Sequence, residues 1–137
     1  MRVLQPPGWP RPKGYANGVE AEGRLVFTGG QIGWNAEEQF ESDDLVDQVR
    51  QTLENVRAVI AEADAGPEHL VRLTWYVTDI DGWRARPKEI GEAYRAVMGK
   101  AFPPMACIGV NALVEPRAKV EIEATAVVPS RSETAAP

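Results

Sequence analysis

The sequence holds one cysteine, Cys107, and one histidine, His69, among 137 residues. A single cysteine excludes an internal disulfide and fits a reducing cytoplasm. With neither a CxxC nor an HxxxH spacing, no metal site is expected. Lysine and arginine are few and scattered, 15 against 20 acidic residues for a net charge of −5, so nucleic-acid binding has no electrostatic footprint. No apolar run approaches the length of a membrane span and no basic-then-apolar leader is seen, which predicts a cytoplasmic protein without a membrane partner. Internal repeats are also lacking. What remains is 44% hydrophobic and 26% charged, the balance of an ordinary globular chain. One domain over residues 1–128 is expected, with a flexible C-terminal tail over 129–137.

The opening LQPPGWPRPKG concentrates four prolines and two glycines in eleven residues. It reads as an extended arm, neither helix nor central strand. Leu25–Thr28 is a short strand between glycines, and Gly29–Asn35 a backbone-dominated loop. Ser42-Asp43-Asp44 supplies capping and acidic signals. Leu45, Val49, Leu53, Val56, Ile60 and Ala63 then recur at helical spacing until Ala65-Gly66-Pro67 stops the helix. Val71, Leu73, Trp75 and Val77 alternate with Arg72, Thr74, Tyr76 and Thr78 as a strand. A second helix runs from Pro87 to Gly99, and strands Met105–Val110 and Ala118–Val128 close the chain. The class is α+β, a mixed sheet with two helices on one face. Two helices leave the other face uncovered, which predicts a homo-oligomer.

The last strand, KVEIEATAV, sets Val120, Ile122, Ala124 and Ala126 on one face and Glu121 and Glu123 together on the other. Either that face is solvated, with Lys119 neutralising part of the charge, or the two acids do chemistry. The loop GGQIG matches neither a dinucleotide nor a Walker pattern; it is a sharp turn, or one that brings backbone N–H groups to a ligand. For Cys107 a small core hydrophobe is the stronger reading, and for His69 a surface or capping residue. Tyr15, between Gly14 and Gly18, serves packing or lies over a cleft.

Taken in order, Gly14-Tyr15 with Gly18-Val19, TGGQIGWN from Thr28 to Asn35, QVRQTLENV from Gln48 to Val56, TWYVTD from Thr74 to Asp79, Phe102-Pro103, Cys107 and VEIEA from Val120 to Ala124 resemble the RidA (YjgF-type) family over residues 14 to 128. The resemblance implies a chorismate-mutase-like fold whose sheets form a trimeric barrel core with the helices outside. It implies small-molecule pockets at the three subunit interfaces, and hydrolysis of reactive enamines and imines to a keto acid and ammonia without metal or cofactor. Carried over, Tyr15, Gly30, Ile32 and Cys107 line the pocket, Glu121 is its acid and Glu123 a structural companion. Where the family has Pro-x-Arg-Ser, this chain reads Pro103-Pro104-Met105-Ala106, and a family asparagine is replaced by Gly91. The missing arginine would clamp a substrate carboxylate bidentately; Arg72 and Arg117 are the cations open to replace it. Met105 beside Trp34 implies a more apolar pocket. The expectation is therefore a cofactor-free deaminase for an enamine or imine other than the usual 2-imino acids, the alternative a non-catalytic metabolite-binding homologue.

Overall fold

A computed structural model describes residues 1–130; the expected tail lies, from residue 131 on, outside the described residues. The first helix, α1, spans Leu45–Ala61. Asp44 caps it, its carboxylate accepting from the Val46 and Asp47 amides at 3.1 and 3.2 Å, which satisfies two of the orphan N–H groups of the first turn. Leu45, Val49, Leu53, Val56 and Ile60 are buried as the spacing predicts, while Ala63 falls beyond the helix end. The Ala65-Gly66-Pro67 stop holds: Pro67–His69 forms one 3-10 turn, and His69 caps it by accepting the Gly66 amide on Nδ1 at 2.9 Å.

The described residues form seven strands: β1 Arg2–Leu4, β2 Gly18–Glu20, β3 Arg24–Phe27, β4 Gln31–Ile32, β5 Leu70–Val77, β6 Met105–Gly109 and β7 Val120–Val128. β1 and β2 pair into a small antiparallel sheet carrying the proline-rich arm as its connection. The main sheet runs β3-β7-β5-β6, with β4 also on β7. β5 and β6 are parallel and the other pairs antiparallel, so the sheet is mixed. Parallel neighbours need a crossover, supplied here by α2, Ile80–Ala85, and α3, Pro87–Met98.

Among the described residues three α-helices thus replace the expected two. α2 is six residues long, too short to print a period, and is started by Asp79, which accepts the Gly82 amide at 2.9 Å. Its Trp83 meets Trp75 edge-on, ring centroids 5.0 Å apart. α3 ends at Gly99, whose φ of 63° lies in the left-handed region that glycine adopts at low cost.

α1, α3 and the inward row Leu73, Trp75, Val77, Val120, Ile122 and Ala124 make one core. The opposite face is bare. Register sets Leu25 beside Val127, Phe27 beside Thr125, Thr74 beside Glu123 and Tyr76 beside both Glu121 and Ile108. Leu25 and Phe27 are 64% and 67% exposed there, large apolar side chains that no other described residue covers. Among the described residues no helix is long and apolar enough to cross a membrane.

Candidate functional site

The glycine loop and the acid strand meet. Thr28 hydrogen-bonds Ala124 in both directions, amide to carbonyl at 2.9 Å and amide to hydroxyl at 3.0 Å. Three residues on, Gln31 and Ile32 pair with Ile122 and Glu121 as β4, so part of the expected loop is a strand. A Cβ on Gly30 would lie 2.1 Å from Glu121 Oε2 and 2.7 Å from its Cδ. Position 30 must therefore be glycine for the Glu121 carboxyl to sit where it does. The first glutamate fills a hollow that the loop leaves open.

The loop is held from α1. Asn55 donates its amide to the carbonyls of Ile32 and Trp34, both at 2.8 Å, and its own oxygen accepts from Gln51 at 3.0 Å. Gly33 lies so close to the helix that a Cβ would be 2.8 Å from Gln48 Cβ. Gln48, buried, donates to the Ser42 and Arg117 carbonyls at 3.1 Å each and accepts from the Lys119 amide at 2.8 Å. Such a buried amide costs free energy unless its bonds are made, and here they are. Sequence reasoning assigned Gln48 and Asn55 no role. Their signal was present: two amides at i and i+7 beside an otherwise apolar stripe.

Glu123 differs from its neighbour. It stands exposed on the open face and accepts the Tyr76 hydroxyl at 2.9 Å, which holds the Tyr76 phenol above its ordinary pKa. Lys119, expected to neutralise this pair, makes no ion pair with either acid among the described residues.

The remaining candidates gather elsewhere. Tyr15 and Phe102 line one hollow of about 630 Å³ on the arm, and the arm is tied to the approach of β6 by the Ala16 amide on the Pro103 carbonyl at 3.3 Å. Met105 is registered with Leu73, Cys107 with Trp75, so both belong to the helix-side row of the sheet. Cys107 is exposed and not a core residue as expected, because among the described residues no strand covers the far side of β6. Partial burial still pushes its thiol up to about 11, so it is protonated at neutral pH. Trp34 packs on Phe40, centroids 5.9 Å apart, in the loop after β4. Within one chain it does not join Met105.

The candidates fall into two groups. Gly30, Ile32 and Glu121 lie together; Tyr15 lies on the arm tied to the approach of β6, the strand that carries Met105 and Cys107. β5 lies between β7 and β6, a separation of about 10 Å at ordinary strand spacing, and the two rows face opposite sides. Of Arg72 and Arg117, the two cations expected to serve as a carboxylate clamp, Arg117 is already engaged. It pairs with Asp43 at 3.0 Å and lies 5.2 Å over the Phe40 ring. Arg72, exposed on the open face, shares a hollow of about 230 Å³ with Phe27, Thr74 and Glu123. It has no hydrogen-bond or ion-pair partner among the described residues. Among these residues no three His, Cys, Asp or Glu side chains gather as a metal site requires.

Residues 10–128 match the family model described as Endoribonuclease L-PSP. A RutC family protein of Aquifex aeolicus is 36% identical over 130 residues, 93% of this chain and 99% of that one. A protein named 2-iminobutanoate/2-iminopropanoate deaminase from Salmonella typhimurium is 34% identical over 113 residues, 82% and 86% of the two chains. The crystal structure of the Rid family protein YyfB of Yersinia pestis superposes with a TM-score of 0.82 at 34% identity, covering 93% of this chain and 98% of that one.

Proposed function

The chain belongs to the Endoribonuclease L-PSP family, which includes the RidA-type reactive-intermediate deaminases, and from that premise we propose a cofactor-free hydrolysis of a small reactive enamine or imine at a site shared between copies of a homotrimer. The observation that carries the reading is the Glu121 carboxyl seated against Gly30. A carboxylate fixed beside a glycine loop can orient a water and take its proton as the oxygen attacks a C=N carbon. The resulting carbinolamine loses ammonia and leaves a carbonyl; an enamine tautomerises to the imine first.

The assembly follows from the sheet. Leu25, Phe27 and Ile108 are exposed on the uncovered face, and an apolar face of that kind is buried by packing against copies of itself. Trimerisation would also bring one chain's Glu121 toward another's Tyr15 and Cys107, joining half-sites that lie apart in the single chain.

Met105 and Ala106 favour a substrate other than 2-iminopropanoate or 2-iminobutanoate, since a buried substrate carboxylate without a cation is costly. The same two residues also favour a second reading, a metabolite-binding protein without turnover. Semicarbazide trapping of 2-iminopropanoate generated in situ separates the two. The wild type is expected to accelerate hydrolysis little over buffer, and Met105→Arg with Ala106→Ser to gain roughly one to two decades in kcat/KM, the value of one charge-assisted clamp. A general base contributes roughly 10²–10⁴-fold, so adding Glu121→Gln to that variant should abolish the gain and return the rate to the wild-type level. A double variant no faster than buffer supports the binding protein.

A further inference from the structure

The geometry points to a ligand subsite on the proline-rich arm, framed by Trp9, Arg11, Tyr15 and Phe102, that takes a planar anionic group, an aromatic or heteroaromatic carboxylate. It rests on the proposed function in one respect, that Tyr15 faces the ligand. Three aromatic side chains line the hollow of about 630 Å³, and among the described residues Arg11 is the one charged group in its wall and no carboxylate lines it. Arg11 has neither a hydrogen bond nor an ion pair among the described residues. An unpaired guanidinium attracts an anion locally, against the chain's net charge of −5.

The wall is built in advance. Gln5 donates to the carbonyls of Trp9 and Pro10 at 3.1 and 3.2 Å, and accepts from Asn17 at 2.8 Å. The Trp9 amide returns to the Pro6 carbonyl at 3.3 Å. Prolines 6, 7, 10 and 12 fix φ through the same stretch. So ordered a backbone presents Trp9 at 59% exposure, a large ring carried in water on a fixed loop. Aromatic faces stack a planar ligand and Arg11 meets its charge. The hollow adjoins Phe102-Pro103, two residues before Met105. The anion that position 105 no longer holds next to the reacting carbon is thus received farther out, on the arm. The substrate class becomes a planar imine or enamine whose acidic group is remote from its C=N carbon.

The test is ¹⁹F NMR titration of the full chain with 4-fluorobenzoate and, for charge, 4-fluorobenzyl alcohol. Saturable binding of the benzoate, weakened about tenfold by Trp9→Ala and by Arg11→Gln, is expected, with the alcohol bound about tenfold more weakly than the benzoate. Circular dichroism and light scattering on each variant check fold and assembly. Absent saturation in the wild type, or unchanged affinity in both variants, overturns the subsite. So does a Trp9→Ala variant that falls apart into smaller species, which assigns Trp9 to a contact between copies. Benzoate binding that depends on both residues sustains the subsite even if no imine is turned over, so this outcome and that of the trapping assay are read separately.

Discussion

Asn55 is the position at which the helix writes the geometry of the glycine loop, and replacing it by alanine or by the nearly isosteric aspartate separates packing from hydrogen bonding. Asn55→Ala removes donors to the Ile32 and Trp34 carbonyls and frees Gln51 from its bond. At about 1 kcal/mol net for each of the two bonds to the loop, the loss is about 2 kcal/mol. Asn55→Asp preserves shape and the bond from Gln51 but sets a carboxylate oxygen where two carbonyls converge. Repulsion and desolvation then add to the lost bonds, so the aspartate should cost more than the alanine, about 3–4 kcal/mol near neutral pH. Urea unfolding at one fixed protein concentration reads both, since oligomers melt in a concentration-dependent way. Hydrogen exchange adds a local readout: amides of residues 29–34 should lose protection before the core of α1 does. An aspartate variant as stable as the alanine variant would refute the reasoning, because the loop would then not depend on donated hydrogens.

Gly30→Ala is expected to displace the Glu121 carboxyl by about 1.3 Å, from a 2.1 Å overlap to ordinary contact. It should cost little stability and about 10²-fold in any Glu121-dependent turnover; an unmoved carboxyl in its crystal structure contradicts this. Cys107, exposed yet held up to about 11, should react with a disulfide reagent slowly at pH 7 and about tenfold faster per pH unit through pH 10; a plateau near pH 8.5 rules out the burial effect. Asp44 is held below the usual carboxylate range first by its hydrogen bond to Arg86, 2.8 Å away. Its contribution is therefore complete above the unfolded value of about 3.9 and lost as pH falls through the lower folded value. Thermal melts of Asp44→Asn should show a weaker acid destabilisation than wild type below about pH 4, and equal slopes would remove Asp44 from the account.

The long elements were legible in the residues because burial repeats. The stripe from Leu45 to Ile60 and the alternation along β5 and β7 each place one face in the core, and the structure buries those faces. The bare face followed from counting helices, and the third helix did not change it, since α2 lies in the β5–β6 crossover. α2 itself was hidden by its length. Cys107 was misread because burial statistics do not tell an edge strand from a central one. The Glu121–Glu123 pair could not be divided from spacing alone. What separates them is tertiary: Gly30, 91 residues distant in the chain, abuts the first, and Tyr76 bonds the second. Gln48 and Asn55 were visible as polar residues, but their partners lie in loops up to 71 residues away. The half-sites' separation likewise depended on strand order, with β5 inserted between β7 and β6.

The claim on which site and function both rest is that copies of this chain cover its open sheet face. Light scattering coupled to size exclusion at micromolar concentration tests it most directly. Three copies of a 15.0 kDa chain give about 45 kDa, and Phe27→Asp, which puts a charge on that face, should shift the mass downward. A wild-type particle of 15.0 kDa would leave Glu121 and Tyr15 in separate half-sites and contradict the account.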